Sequence, residues 1–252
     1  LTHLTGNTLD ILKDIGEPLP DFAIFNDKDI YLARQLELLG VLVFNSSKVI
    51  DISDDKIATY QMIAPKGFPI PETIIAPKTF QVSAPIDMTF TEMVIQKLGF
   101  PMVIKEAFGS FGEQVYLVQN QDDMIEKMNE LQGKPYMFQR FISSSYGRDL
   151  RLQVVGDQVV TSMYRETADD FRATAAGIRQ AYTPTPEEET LAIAATKAIG
   201  ADYAGVDLLF GPEGKPIICE INSNALLSKL YDATKIDIAD CIIDYIAETL
   251  GY

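Results

Sequence analysis

Asp207, Glu220 and Asn222 carry the strongest chemical signal in this sequence. They lie in two apolar runs, 206–210 and 217–222, joined by a loop rich in glycine and proline, and that pattern predicts a β-hairpin. The loop Gly211, Pro212, Glu213, Gly214, Lys215, Pro216 reads as symmetric about the Glu213/Gly214 bond, which sets Asp207 opposite Glu220. Strand side chains alternate, so Ile218, Glu220 and Asn222 are expected on one face and Ile217, Cys219 and Ile221 on a second, wholly apolar and buried face. Directly opposed side chains have Cβ atoms about 4.5–5.5 Å apart, and like charges at that distance destabilise a sheet unless something compensates. A divalent cation would do so. Two carboxylates and an amide oxygen are hard ligands of the kind Mg²⁺ accepts beside water and phosphate oxygens, and no histidine or second cysteine is nearby to suggest zinc. A solvated acidic face without metal has the same spacing, which by itself leaves both readings open.

A second feature joins Lys105, at the end of an apolar run, to a turn containing Gly109, Ser110, Phe111 and Gly112. Such a turn can aim backbone N–H groups at phosphate oxygens, with glycine permitting close approach. A simple turn fits the residues equally, and the pattern is neither the Walker A motif nor the dinucleotide fingerprint. Arg148, Arg151, Arg165, Arg172 and Arg179 crowd one part of an acidic chain, which suggests an anionic ligand or a set of structural ion pairs.

These residues need elements to hold them. An apolar run at 21–25, helical spacing of Ile30, Ala33, Leu36 and Leu39 before Gly40, and a run at 41–44 read as strand, helix and parallel strand. Asn45 or Ser46 can cap one short helix, and Ser53 or Asp54 the next, which ends before Gly67. Phe68, Pro69, Ile70 and Pro71 break the pattern, and a domain change is expected there. Beyond it, strands at 72–76, 102–105, 113–118 and 136–141 alternate with helices at 89–98 and 122–131. Runs at 148–155 and 158–164 flank Gly156 and Asp157, a strong hairpin signal. Pro186 and the acidic residues after it open a helix over 187–199, and an amphipathic helix over 236–250 closes the chain. There is no internal repeat.

Composition narrows the function classes. The 252 residues are 47% hydrophobic and 23% charged, with a formal net charge of −15, an ordinary globular mixture whose field repels nucleic acid and anionic lipid surfaces. Cys219 and Cys241 are too few for a disulfide framework, no signal peptide is evident, and the apolar run 38–44 is far shorter than a membrane span. A cytoplasmic protein with neither nucleic-acid nor membrane partners is expected, with self-association open. His3 is the only histidine, which argues against histidine-based nucleophilic catalysis.

Taken in order, the motifs resemble the ATP-grasp superfamily, most closely its RimK-like and glutathione-synthetase-like carboxylate–amine ligases. The resemblance spans nearly the whole chain: Asp54, Asp55 and Lys56; Pro101 to Lys105 with Gly109 to Gly112; Gln139, Arg140, Phe141 and Ile142; Gly147 to Arg151; Arg165; Phe171 and Arg172; Gly205 to Asp207; Glu220 to Asn222. It implies an α/β (α+β) ATP-grasp fold over 69–252, with nucleotide held between subdomains at about 72–142 and 143–252. A Rossmann-like pre-ATP-grasp domain over 1–68 would precede it, lacking an initial strand and helix that the family places upstream of Leu1. Lys105 would meet the α/β phosphates with Lys56 close by, and Gly109, Ser110 and Gly112 would close over the triphosphate. Gln139, Arg140 and Phe141 match the adenine hinge, Asp149 the ribose end, and Arg172, Ala173 and Thr174 a phosphate and ribose segment. Arg165 would stabilise the acyl phosphate, and Asp207, Glu220 and Asn222 would hold Mg²⁺ or Mn²⁺, with Glu220 bridging two ions.

The implied reaction is ATP-dependent phosphorylation of a carboxylate followed by attack of an amine, on small-molecule or peptide substrates. Phosphoryl transfer that stops at the phosphorylated product and a lapsed nucleotide-binding regulatory module are the alternatives. Two departures from the family pattern stand out. Thr174 replaces an asparagine, with Ala175 to Arg179 only loosely matching a glycine-rich segment, and Ser223 to Leu227 replaces a Ser-Pro-Gly turn. The sequence does not identify the acceptor or the amine.

Overall fold

The computed structural model describes residues 2–5, 8–11, 18–79, 85–174 and 177–252, with side chains from residue 18 onward. Strands β1 (Thr2–Thr5) and β2 (Thr8–Ile11) pair antiparallel; His3 lies in β1, and its side chain is outside the described part. Next come β3 (Phe22–Ile24), α1 (Ile30–Leu38) and β4 (Leu42–Phe44). β3 and β4 are parallel, with Phe22 beside Leu42 and Ile24 beside Phe44, so the expected strand–helix–strand unit is present.

Two short helices follow, α2 (Ser47–Asp54) and α3 (Lys56–Ile63). Ser46 caps α2 by accepting from the Val49 N–H. The cap of α3 is Asp55, whose Oδ1 accepts from Ile57 and Ala58 N–H at 2.8 and 3.1 Å, and not Ser53 or Asp54 as expected. Those two are engaged elsewhere: Ser53 Oγ lies 2.7 Å from Ser223 Oγ, and Asp54 pairs with Lys28.

The middle of the chain supplies β5 (Thr73–Ile75), α4 (Met88–Leu98), β6 (Met102–Glu106), β7 (Val115–Val118), α5 (Gln121–Glu130) and β8 (Tyr136–Arg140). The strands form an antiparallel sheet in the order β5-β8-β6-β7. Met102, Ile104 and Phe138 on its inner face pack with Val94 and Leu98 of α4 and Met124 and Met128 of α5.

The larger sheet contains β9 (Arg148–Val155), β10 (Gln158–Glu166), β11 (Ile178–Ala181), β12 (Tyr203–Phe210) and β13 (Pro216–Asn222), in the antiparallel order β11-β10-β9-β12-β13. Between β11 and β12 runs α6 (Pro186–Ile199), opened by a Thr185/Glu188 capping box with Pro186 in the first turn. Leu150, Leu152, Val154, Val206, Leu208, Ile218 and Ile221 line one face of the sheet and pack on α6 and on Val49 and Ile63 of α2 and α3. Burying a leucine fully contributes about 1.5–3 kcal/mol. This alternation sends Asp149, Arg151 and Gln153 of β9 to the opposite face. The chain ends with α7 (Leu227–Thr234) and α8 (Ile238–Leu250).

Sequence periodicity missed β11 and α7. β11 reads Ile-Arg-Gln-Ala and is mostly exposed, so backbone pairing with β10 creates it. α7 has no side-chain cap at Leu226 and ends on Lys235 with φ 61°.

Asn45 fastens the parallel unit to the large sheet. Its fully buried amide donates to Tyr203 O and Ser223 O at 2.8 and 3.2 Å and accepts from Asp202 N–H at 2.7 Å. Leaving a buried backbone group unpaired costs about 1–3 kcal/mol. Asn45→Ala is therefore expected to lower unfolding stability by about 2–4 kcal/mol, read by urea denaturation.

Candidate active site

The β12–β13 hairpin forms with Asp207 opposite Glu220 and Gly205 opposite Asn222, but by a different route from the one expected. Its end pairs Phe210 with Pro216 and Leu208 with Ile218, which centres the turn on Glu213 (φ 57°). A bulge at Cys219 then shifts the register by one and restores the Asp207/Glu220 pair. The bulge also reassigns the faces. Ile218 and Ile221 are core residues, while Cys219, expected in a buried apolar face with Ile217 and Ile221, lines a cavity beside Glu220. A bulge leaves its extra residue outside the ladder, and here the Tyr60 hydroxyl of α3 donates to Cys219 O at 2.9 Å.

Arginines face the aspartates of this sheet. Arg151 grips Asp207 with Nε and Nη2, both at 2.6 Å. Arg165 does the same to Asp149, and its Nη2 also lies 3.1 Å from Asp207. Register explains the cluster, because Arg151 neighbours Asp207 across β9 and β12 and Asp149 neighbours Arg165 across β9 and β10. Asp207, Asp149 and Arg165 are only 3%, 6% and 5% exposed. Burial disfavours the Asp207 anion, but Arg151 and Arg165 outweigh it and hold the carboxyl below its ordinary range.

The lysines sit where the two sheets meet. Lys56, buried at the start of α3, donates from Nζ to Gly109 O at 2.9 Å and lies 3.4 Å from Glu220 Oε1. Lys105 Nζ on β6 lies 3.6 Å from Cys219 Sγ. Burial pushes the Lys105 ammonium down, but Cys219, Tyr60 and Glu220 outweigh it and leave the pKa above that of an ordinary lysine. Burial raises the Cys219 thiol above its ordinary range and pushes the Tyr60 phenol up to about 12.

The glycine turn forms a roof between the sheets. Arg172 donates to Gly112 O at 2.6 Å, Thr174 Oγ1 to Phe111 O at 3.4 Å, and Lys28 Nζ to Ser110 Oγ at 3.1 Å. Glycine is required at its ends: at Gly109 (φ 137°) a Cβ would fall 2.2 Å from Gln114 Oε1, and at Gly112 (φ 77°) 2.8 Å from Thr174 Oγ1.

Two adjoining cavities flank this roof. The first, about 120 Å³, is lined by Lys56, Lys105, Gly109, Ser110 and Gly112; by Gln139, Arg140 and Phe141 of β8 and beyond; and by Asp149, Arg172, Ala173, Thr174, Asp207 and Glu220. The Arg140 side chain turns outward to Glu72, which leaves its backbone to face the cavity. Arg165 and Asn222 line the second, about 370 Å³, which shares Ser110, Phe111, Gly112, Thr174 and Glu220 with the first. Every candidate side chain named from the sequence thus borders one cavity or both. Not anticipated were Cys219, Tyr60 and Lys28, nor Gln114, whose Oε1 accepts from the Ser110 N–H at 3.2 Å. Cys219 lies inside the hairpin that the sequence singled out but was assigned to the other face, while Tyr60, Lys28 and Gln114 lie outside the quoted motifs.

Residues 53–246 match the model of the RimK-like ATP-grasp domain. The chain belongs to the RimK-like ATP-grasp family. A probable alpha-L-glutamate ligase of Photobacterium profundum is 37% identical to it over 97% of this chain and 79% of its own length. Human N-acetylaspartylglutamate synthase A is 30% identical over 90% of this chain, which spans only 58% of that relative. Among solved structures, D-alanine–D-alanine ligase from Bacillus anthracis in complex with ATP shares the fold, with a TM-score of 0.69 at 23% identity over 91% of this chain and 78% of its own. The charged face of the large sheet is turned toward the small one's glycine turn.

The arginine–carboxylate set generates a prediction. Removing one partner of a buried ion pair costs about 3–5 kcal/mol, so Arg165→Met should lower stability by that amount. Because the Asp207 carboxyl is depressed in the folded state, its contribution is present above the ordinary carboxylate pKa near 4 and is lost as pH falls through the folded value. Urea-unfolding stability should therefore drop on acidification below about pH 4, and the drop should be shallower in Asp207→Asn.

Proposed function

We propose that this chain is an ATP-dependent acid–amino-acid ligase that activates a carboxylate as an acyl phosphate and joins it to the amine of an acidic amino acid such as glutamate. The observation that carries this reading is the meeting of two cavities at Glu220 and the glycine turn. One cavity has the phosphate-handling chemistry: Lys56, Lys105 and a turn with backbone groups near them. Its neighbour is lined by Lys28, Arg151, Arg165, Arg179 and Lys229 beside Asp27 and Glu220; Lys28, Arg151 and Arg165 share their charge with Asp54, Asp207 and Asp149, and the five together give a wall rich in N–H donors in a protein of net charge −15. Such a wall suits a substrate bearing more than one carboxylate. The names of the glutamate ligase and N-acetylaspartylglutamate synthase relatives agree with that chemistry.

The donor set fits a hard cation. Asp207 and Glu220 are adjacent, Asp207 Oδ2 and the Glu220 carboxylate keep lone pairs beyond their contacts with Arg151 and Lys56, and the Asn222 amide nitrogen is buried without a partner among the described residues. Asp207, Glu220 and Asn222 would hold Mg²⁺ or Mn²⁺, which supplies charge neutralisation for the transferred phosphoryl group. Lys105 and Lys56 bind and orient the triphosphate, the glycine turn excludes water, and β8 with Phe141 receives the adenine. Arg165, facing the second cavity, is placed to stabilise the oxyanion formed as the amine attacks. No covalent nucleophile is required. ATP dependence and the free thiols Cys219 and Cys241 suit the cytoplasm, and no described helix is long and apolar enough to cross a membrane.

A non-hydrolysable ATP analogue at about 100 times its dissociation constant should add roughly 2.7 kcal/mol, raising the melting temperature by about 5–10 °C only when Mg²⁺ is present. Glu220→Gln should abolish that rise. In turnover assays with glutamate and a panel of carboxylic acids, ADP and phosphate should appear together with an amide. ADP without free phosphate would point instead to a phosphotransferase, and magnesium-dependent binding with no turnover on any acid would point to a regulatory module.

A further inference from the structure

Gln153, Gly205 and Asn222 lie side by side in one row across β9, β12 and β13. Gln153 is 1% exposed. Its Oε1 and the Asn222 Nδ2 are the buried side-chain polar atoms without a hydrogen-bond partner among the described residues. One is an acceptor and the other a donor. An orphaned buried polar group costs about 1–3 kcal/mol, so two complementary orphans in a single sheet row call for a common explanation.

The residue between them has no side chain. Gln153 Oε1 reaches over β12 to 3.5 Å from where a Cβ on Gly205 would stand. Ala225 closes this space from above, its Cβ 2.7 Å from that same point, so only glycine fits beneath it. The outer strands are two strand spacings apart, about 9.5 Å, a gap that glutamine and asparagine amides reaching toward each other can close. The terminal amide torsions of both side chains are soft, and among the described residues the one hydrogen bond of the Gln153 amide is a long one, 3.4 Å from Nε2 to Val154 O.

We infer that Gln153 is a positioning residue: the two amides are not hydrogen-bonded to each other in this structure, and rotation about their soft terminal torsions lets Gln153 Oε1 accept from Asn222 Nδ2 across Gly205 and so turns Asn222 Oδ1 toward Asp207 and Glu220 as the third oxygen of the cation site. The inference rests on the cation-dependent ligase reading and extends it to a residue that touches neither nucleotide nor metal. An amide has oxygen on one side and nitrogen on the other, so fixing the nitrogen decides where the oxygen points. Without Gln153, Asn222 would be free to present its NH₂ group to the cation, a repulsive contact. Outer partners of this kind typically alter metal affinity 10–100-fold.

The test compares wild type with Gln153→Met, which keeps length and loses the acceptor, and Gln153→Glu, which restores it. Mn²⁺ is titrated by electron paramagnetic resonance in the presence of the ATP analogue, and nucleotide affinity without metal is measured alongside. Gln153→Met should raise the Mn²⁺ dissociation constant about 10-fold while metal-free nucleotide affinity stays unchanged, and Gln153→Glu should recover most of the loss. Asn222→Ala added to Gln153→Met should bring little further loss, since both remove one coupled unit. Wild-type Mn²⁺ affinity in Gln153→Met, or independent multiplication of the two effects, would overturn the inference. A second readout needs no metal: exchange of the Asn222 side-chain amide protons, followed by NMR, should be slow in wild type and at least about 10-fold faster in Gln153→Met. Equal exchange in both proteins would refute the hydrogen bond and leave the ligase reading intact. Slow exchange together with Mn²⁺-independent nucleotide binding would refute the cation reading and, with it, the orienting role of Gln153.

Discussion

The interaction on which the site depends is the buried set of arginines and carboxylates across the large sheet. Arg151 and Arg165 neutralise Asp207 and Asp149 on a face where water is scarce. A buried ion pair seldom makes a protein more stable than apolar residues of equal volume would, because desolvation cancels most of the attraction. Its effect here is geometric. Two bidentate forks leave each carboxylate one orientation, so the floor of the cavities is preorganised before any ligand arrives. Asp207 keeps a negative charge at neutral pH because two guanidinium groups face it, and Glu220 is brought beside it by the strand register.

Everything above that floor is tied to it through a few long-range contacts. The start of α3 joins the two sheets: the Lys56 N–H donates to Ala107 O at the end of β6, its Nζ reaches both Gly109 O and Glu220, and Tyr60 one turn later meets the bulged carbonyl of Cys219. Arg172 clasps the glycine turn from the large-sheet side. The roof of the first cavity thus hangs from side chains that themselves have phosphate-binding chemistry. Contacts of that kind can be exchanged for other oxygen acceptors at low net cost.

Much of this was legible in the residues. Apolar periodicity located most helices and strands, because amphipathic elements must turn one face to a core. The hairpin, the lysine and the glycine turn each announced themselves locally, and their order along the chain carried the family resemblance that the RimK-like domain match then established. The Asp207/Glu220 pairing came out as expected only because two errors cancelled: the turn is centred one half-step earlier than its composition suggested, and the bulge at Cys219 corrects the register. A bulge is set by what the neighbouring elements accept, here Tyr60 and the core positions of Ile218 and Ile221. No hairpin sequence read in isolation contains that information.

What the sequence by itself determined is therefore the chemistry available and the elements that carry it: which oxygens, which cations, which strands and which turns. Those follow from side-chain type and near-neighbour spacing, and both are properties of a one-dimensional string. Only the tertiary structure decided how the charges pair and which faces they occupy. The arginine cluster, read as marking either an anionic ligand or a set of structural ion pairs, is largely paired, with Arg151, Arg165 and Arg172 bound to Asp207, Asp149 and Asp170. Cys219 moved from the core to the cavity, and Gln153 met Gly205 and Asn222 in one row. Such outcomes depend on strand order and register, for Arg151 with Asp207 and Gln153 with Gly205 across more than 50 positions, where burial of the common core selects one arrangement and the polar groups must satisfy one another within it.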